Sequence, residues 1–305
     1  MSKPLHPSPP DHLIELRLWR QFATVAEELH FGRAATRLHM TQPPLTQAIA
    51  QLEKTLGVRL FDRTKRSVQL TASGHTLLAQ ALDLLQRARD LSAAAHAVAA
   101  GQAGRLKLAF VSTAGYALLP QWVMVFRQAY PGVQLDLIES TGDLQLHALQ
   151  RGEIDAGFVL HAPGIAPLGL HHRQVAVEPL VLALPEHHPL AQSGHLDLPQ
   201  VLTAPLVTFP RHIVPSLFDA IVGMYHAAGL LPIVAQEAIQ MQTIVNLVSA
   251  GLGVAWVPAS VRQFQRPSVV YRSVQGVVPE CETSLVWLTT SPVLERFLEF
   301  APAAP

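Results

Sequence analysis

The chain has 305 residues, 49% of them apolar, enough to build the cores of two domains. Its formal net charge is zero, but residues 1–104 carry 12 Lys+Arg against 8 Asp+Glu, and the remainder holds the compensating acid excess. The single cysteine, Cys281, excludes an intrachain disulfide and a multi-cysteine metal site; no apolar run approaches a membrane span, and the Pro-rich start lacks the apolar stretch of a secretory signal.

Residues 1–12 are expected to form a disordered tail. Residues 13–29 fit an amphipathic helix, with Leu16, Trp19, Phe22, Val25, Ala26 and Leu29 on one face. Residues 31–56 fit two short helices joined by a tight turn. The first buries Phe31, Ala34, Ala35 and Leu38. The second opens at Thr41 as N-cap, carries Pro43 and Pro44 in its first turn, and buries Leu45, Ile49, Leu52 and Leu56. Its other side, Gln42, Pro43, Thr46, Gln47 and Ala50, is short and uncharged. An ordinary solvated face would be rich in Lys and Glu. A bare face suits a helix whose N-terminal end approaches base edges closely. A helical hairpin packed in a core is the alternative, disfavoured by that bare polar face beside basic residues.

After Gly57 the chain alternates like a hairpin, with Val58, Leu60 and Phe61 inward and Arg63, Lys65 and Arg66 near the tip, where cations meet phosphates. A solvated basic turn is the plainer alternative. Residues 72–100 then fit one long helix. Leu77, Ala81, Leu84, Ala88, Leu91, Ala95 and Val98 repeat at four, three, four, an unbroken heptad seam suited to pairing with a second copy. The helix is roughly 40 Å long. Residues 101–104, Gly-Gln-Ala-Gly, break it and are expected to act as a hinge.

The run A-A-x-x-L-H-x-T-Q-P-P-L-T-x-x-I-x-x-L-E-x-x-L-G-V-x-L-F-x-R, residues 34–63, resembles the winged helix-turn-helix of LysR-type transcriptional regulators, and the likeness extends to about residue 300. The resemblance implies a winged helix-turn-helix domain at 13–71, with Arg33, Thr41, Gln42, Pro43, Pro44, Thr46, Gln47, Arg63, Lys65 and Arg66 on double-stranded operator DNA. Where the family often has Arg or Gln at the positions of Gln47 and Ala48, the alanine here removes one polar contact. It further implies a linker helix at 72–100 that pairs subunits and a two-lobed, periplasmic-binding-protein-like (type 2) α/β effector domain at 105–302. Lobe one would be 105–175 with 278–302, and lobe two 176–277. Tetramers and RNA polymerase contact where the protein activates go with the same likeness; the absence of a secretory-signal stretch and of a membrane-span run leads to the expectation of a cytoplasmic location.

From Arg105 the pattern becomes strand, helix, strand, helix, strand, which suggests a parallel sheet. Further strands are expected at 177–185, 206–210, 253–258 and 284–290, and helices at 214–228, 241–250 and 294–300. In parallel α/β sheets ligands bind beyond the strand ends, often at helix N-termini. Three segments qualify: 111–115, 139–142 and 208–211. Ser112, Thr113, Ser140, Thr141, Thr208 and Phe209, with His161, are the candidate effector residues, and each hydroxyl also fits a plain helix cap. The T-F-P-R-x3-P segment at 208–215 is similar to the branch of the family that regulates aromatic and chloroaromatic catabolism. Some members of that branch carry an arginine just after the Gly-Phe strand; here residues 157–161 read G-F-V-L-H, which favours a monoanionic or neutral aromatic effector over a dicarboxylate.

Fifteen histidines invite a metal, but His171–His172 and His187–His188 are adjacent pairs that diverge on strand or helix, and surface loops are the expected setting. Gly251-Leu252-Gly253 fits a helix-to-strand turn rather than a dinucleotide fingerprint. No nucleophile elbow or P-loop occurs, so neither an enzyme nor a cofactor is expected. A solute-binding protein without DNA binding, and an α/β enzyme with a helical appendage, are the competing classes. Cys281 is expected to be a buried structural thiol, with a redox sensor as the alternative.

Overall fold

A computed structural model describes residues 13–64, 67–116 and 118–300. The expected tail at 1–12 and the cations Lys65 and Arg66 lie outside the described residues. The chain divides into two compact units, with the boundary between His96 and Ala97.

The first unit begins with α1 (Leu16–Glu28), α2 (Phe31–Arg37) and α3 (Gln42–Leu56), followed by a hairpin of β1 (Phe61–Arg63) and β2 (Val68–Leu70). Phe61 faces Leu70 and Arg63 faces Val68 across the hairpin. Helix α1 starts three residues later than its periodicity suggests, because Leu13 is fully exposed and has nothing to cover. Phe22, Val25, Phe31, Ala34, Leu45, Ile49, Leu52, Leu60 and Phe61 form the core. The Phe61 ring meets Phe22 and Phe31 edge-on, at 5.6 and 6.0 Å between centroids. Val58, expected to point inward, is exposed. Thr41 stands at the N-cap of α3 with extended backbone, yet its hydroxyl makes no cap hydrogen bond. The reason is chemical: the second and third helical residues are Pro43 and Pro44, which have no N–H to offer.

Helix α4 (Ala72–Ala99) follows the wing directly. Thr71 Oγ1 accepts from Gly74 N at 3.0 Å and donates to Arg59 O at 2.8 Å, so the cap also ties helix to hairpin. The heptad seam divides. Leu77 and Ala81 pack into the core of the first unit. Leu84, Leu91 and Val98 are 41%, 73% and 55% exposed, and nothing among the described residues covers them fully. Ala88 is half-buried and Ala95 exposed.

The second unit opens where α4 closes. Gln102 N donates to Ala97 O at 2.8 Å and Gly101 N to Val98 O at 3.0 Å, the Schellman pattern, with Gly101 at φ +69°. Strand β3 (Ala103–Phe110) starts at once, so Ala103 and Gly104 of the expected hinge segment stand in the strand. Arg296 Nε holds Ala100 O at 3.1 Å. The strands β4 (Gly132–Glu139), β5 (Ala156–His161), β6 (His171–Pro185), β9 (Ala255–Pro258), β10 (Val269–Arg272) and β11 (Glu280–Trp287) join β3 in a seven-stranded sheet with path β10-β6-β11-β5-β3-β4, and β9 pairs with β6. β3, β4 and β5 are parallel there, as the strand-helix alternation from Arg105 predicts; β6, β9, β10 and β11, for which the sequence sets no direction, pair antiparallel. A separate parallel pair is β7 (Leu206–Thr208) with β8 (Val234–Glu237).

Helices α5 (Ser112–Tyr116), α6 (Leu118–Ala129), α7 (Gly142–Gln150), α8 (Leu198–Val201), α9 (Pro215–Ala227), α10 (Met241–Ser249) and α11 (Pro292–Glu299) cover the strands. Two large apolar clusters form, beside a small one of Ala109, Leu149, Ile154, Val159 and Val286. One gathers Leu106, Trp122, Phe126, Phe158, Leu285 and Phe297; the other gathers Leu182, Leu206, Leu217, Tyr225, Val245, Trp256 and Cys281. Strand β6 runs from one to the other. Its first part pairs with β11, residues 180–183 pair with β9, and residues 182–185 pair with β10. His171 and His172 open β6 rather than sitting in a loop, and the His171 ring stacks on Trp287. Residues 250–254 make the helix-to-strand turn between α10 and β9. No helix of the described residues is long and apolar enough to cross a membrane.

Cys281 is fully buried, its thiol 3.5 Å from Glu178 O. Burial, with Glu178 nearby, pushes the thiol well above its ordinary range, so almost no thiolate exists near neutral pH. A thiol reagent such as Ellman's is expected to leave the native protein unlabelled and to titrate one thiol after denaturation. Rapid native labelling would restore the redox alternative.

Candidate functional sites

Helix α3 exposes Gln42, Pro43, Pro44 and Gln47, with Thr46 half-buried. Thr46 Oγ1 donates to Gln42 O at 3.1 Å, which leaves its lone pairs and methyl for a partner. The flanking cations are less free than their sequence positions imply. Arg33 pairs with Glu28 at 3.3 Å. Arg63 Nη2 lies 2.8 Å from Glu53 Oε2, and its guanidinium sits over the Phe31 ring at 4.9 Å. Both arginines therefore present a locked cation rather than a mobile one. Sequence reasoning missed Glu53. Its Oε1 accepts from Leu60 N and Phe61 N at 2.8 and 3.1 Å, so one carboxylate fixes the wing to α3 and orients Arg63. The signal was present in the spacing L-E-x-x-L-G-V-x-L-F-x-R, but an acid on a helix reads as solvated until the hairpin folds back on it.

In the second unit five chain segments converge on a cleft of about 480 Å³. Ser112 and Thr113 open α5, Ser140, Thr141 and Gly142 lead into α7, and Leu160 comes from β5. Phe209, Ile213 and Val214 precede α9, and Ile239, Gln240 and Met241 lead into α10. Five of the seven expected effector residues, Ser112, Thr113, Ser140, Thr141 and Phe209, thus line one space. The other two do not. Thr208 is buried behind the wall in β7. His161 turns inward: Nδ1 donates to Ala162 O at 2.8 Å, and Nε2 faces Glu282 Oε1 at 3.7 Å. Glu282 itself accepts from Gly164 N and Ser284 Oγ, so this group is part of the sheet's interior.

Gln240 and Met241 went unnoticed because β8, four residues that are all exposed, has no buried alternation to mark it as a strand. Without a strand before it, the start of α10 did not qualify as a strand-end loop.

The lining carries no ionisable side chain. Arg211, the nearest cation by sequence, is turned into a two-point pair with Asp219 at 2.7 Å through both nitrogens. That pair holds the Asp219 carboxyl below its usual range. The cleft's polar character comes instead from hydroxyls and helix starts. Thr113 is 6% exposed and its hydroxyl has no partner among the described residues. Thr141 stands at the N-cap of α7 without a side-chain cap bond, so first-turn N–H groups remain open. Asp143, in that same turn, offsets part of the positive end of the helix.

A DNA-type winged helix-turn-helix followed by a seam helix and a cleft-bearing α/β unit defines a ligand-responsive regulator. The comparisons agree. Residues 16–75 match the model of the bacterial regulatory helix-turn-helix protein, lysR family, and residues 99–304 match the LysR substrate binding domain. The chain belongs to the LysR family of transcriptional regulators, which are non-enzymatic DNA-binding proteins with an effector-binding domain.

It is 46% identical over 275 residues to the HTH-type transcriptional regulator IlvR of Caulobacter vibrioides, covering 90% of this chain and 92% of that one. It is 36% identical to AlsR of Bacillus subtilis, over 94% of this chain and 95% of that one. The crystal structure of CbnR, a LysR family transcriptional regulator, superposes with a TM-score of 0.81 at 30% identity, over 95% of this chain and 100% of that one. Full-length CbnR complexed with its target DNA superposes at 0.78, also at 30% identity, over 94% of this chain and 98% of that one. The solute-binding and enzyme alternatives are thereby set aside.

Proposed function

We propose that the effector of this regulator is a small monoanionic or uncharged molecule with an apolar, ring-sized body, bound in the cleft at the starts of α5, α7 and α10. The observation that carries it is the lining: hydroxyls and helix N-termini beside Leu160, Phe209, Ile213 and Met241, with no cation. A carboxylate would rest on N–H groups and the unpartnered Thr113 hydroxyl while its body fills the apolar side. A second carboxylate would find no counter-charge and would lie near Asp143. A benzoate-type compound meets both conditions.

The rest of the reading follows the chain. Residues 13–71 carry the DNA-binding residues Arg33, Thr41, Gln42, Pro43, Pro44, Thr46, Gln47 and Arg63. The uncovered part of the α4 seam, Leu84, Leu91 and Val98, pairs two subunits, with Ala88 and Ala95 allowing close approach. A two-fold dimer presents two recognition helices to a roughly palindromic operator. The lobes are 105–175 with 278–302, and 176–277. Effector binding changes how they are held, and so the spacing of the DNA heads. Tetramers, RNA polymerase contact where the regulator activates, and a place in the cytoplasm complete the proposal.

Calorimetric titration of the full chain against benzoates, muconates and phenols is the test. Benzoates or phenols should bind in preference to muconates; a clear preference for the dicarboxylates overturns the effector class. In gel shifts on DNA flanking the protein's own gene, Gln42→Ala and Pro44→Ala should weaken specific binding by about tenfold or more and non-specific binding less. Equal losses on both would contradict base readout.

A further inference from the structure

Gln145 lies in the second turn of α7, is completely buried, and is not itself part of the cleft lining. Its amide nitrogen donates to Ser140 O at 2.9 Å and to Phe158 O at 3.2 Å. Two carbonyl acceptors fix the orientation of the amide, since only the NH2 end can serve both. Ser140 directly follows β4, and Phe158 stands in the middle of β5, two residues before the lining residue Leu160. Ser140 N donates in turn to Phe110 O at 3.0 Å, and Phe158 O also receives Val111 N at 3.2 Å. One side chain therefore joins the carboxyl ends of β3 and β4 to the middle of β5, and the lining residues Val111 and Ser140 both belong to its network.

The other end of the amide explains a glycine. A Cβ built on Gly157 would stand 2.4 Å from Gln145 Oε1. Gly157 has no left-handed backbone that would demand glycine. The requirement comes from the amide alone.

We infer that Gln145 is a positioning residue for the effector cleft: its buried amide, seated in the space Gly157 leaves open, sets where the Ser140–Thr141 wall and the open first turn of α7 stand relative to Val111 and Leu160. The inference rests on the cleft being the effector site, and it assigns specificity to a side chain that no effector touches. Gln145→Leu keeps the volume and removes both donors. Gly157→Ala keeps Gln145 and forces its amide aside. Ala at both positions relieves the clash.

The test measures amide hydrogen exchange of the full chain over residues 110–114 and 140–145, together with calorimetric titration of benzoate. Gln145→Leu and Gly157→Ala should each speed exchange in both segments and weaken benzoate by about tenfold, the equivalent of one buried hydrogen bond. In the Gln145→Ala background, adding Gly157→Ala should change nothing further, a non-additivity that general destabilisation would not produce. Should Gln145→Leu fail to fold, Gly157→Ala alone and in the Gln145→Ala background decides the matter. Unchanged exchange in residues 140–145, or a Gly157→Ala effect that persists without Gln145, overturns the inference. If benzoate does not bind the unaltered protein, the effector reading fails on its own, and the exchange data still judge Gln145.

Discussion

Glu53→Ala should lower the stability of the DNA-binding unit by about 3 kcal/mol, more than any exposed substitution on the same helix. The carboxylate accepts three hydrogen bonds, from Leu60 N, Phe61 N and Arg63 Nη2, at 2.8 to 3.1 Å. Its side chain is 15% exposed, so water replaces it poorly. Alanine leaves two backbone donors at the root of the wing without an acceptor, and it frees Arg63 from its place over Phe31. Glu53→Gln separates the contributions. Its Oε1 can still accept from the two backbone N–H groups, but the charged partner of Arg63 is gone, so it should cost about 1 kcal/mol, nearer the range of partly exposed ion pairs. Urea unfolding with equal m-values measures both. A Glu53→Ala protein within about 0.5 kcal/mol of the parent would mean that the wing is held by its apolar residues alone.

Glu53 also shows what a sequence discloses and what it hides. The helices of the first unit were legible because their apolar residues recur at three and four, and Leu45, Ile49 and Leu52 are indeed wholly buried. The bare side of α3 was legible for the converse reason. What α2 and the wing do with their charges was not. Arg33 and Arg63 read as free cations in one dimension, and only the fold brings Glu28 and Glu53 against them. In the second unit the three parallel strands were read correctly as strand-helix alternation. Of the antiparallel part, the start of β6 and all of β10 were missed, because β6 is exposed along its first three residues and β10 is half-buried throughout, so neither shows a period of two.

The cleft divides the same way. Hydroxyls at the starts of α5 and α7 follow legible strands, and they converge. His161 lies at the end of an equally legible strand, yet the alternation of β5 and the facing Glu282 on β11 send it inward. Thr208, the last residue of β7, is buried, whereas Phe209 follows the strand and lines the cleft. Periodicity says that a residue is at a strand end; it does not say which face that residue takes until the neighbouring strand is known.

Gly74→Ala should destabilise the first unit by about 2 to 3 kcal/mol, against the usual sense of a glycine-to-alanine change in a helix. Helix propensity alone favours alanine by about 1 kcal/mol. Here the added Cβ would lie 2.2 Å from Leu60 O and 2.8 Å from Leu70 Cδ2. The leucine methyl can rotate away, but the carbonyl cannot: it belongs to the backbone and already accepts Thr71 N at 3.0 Å. Alanine must therefore lift the first turn of α4 off the hairpin, weakening the Thr71 bonds that tie the two together. Gly223 in α9 is the control, since it has an ordinary backbone and nothing within 4 Å of an added Cβ. Gly223→Ala should be neutral or stabilising by up to about 1 kcal/mol. Thermal melts of the two variants should move in opposite senses, Gly74→Ala downward by about 10 °C for a unit of this size. Equal shifts would show that helix propensity, rather than contact with the wing, governs position 74.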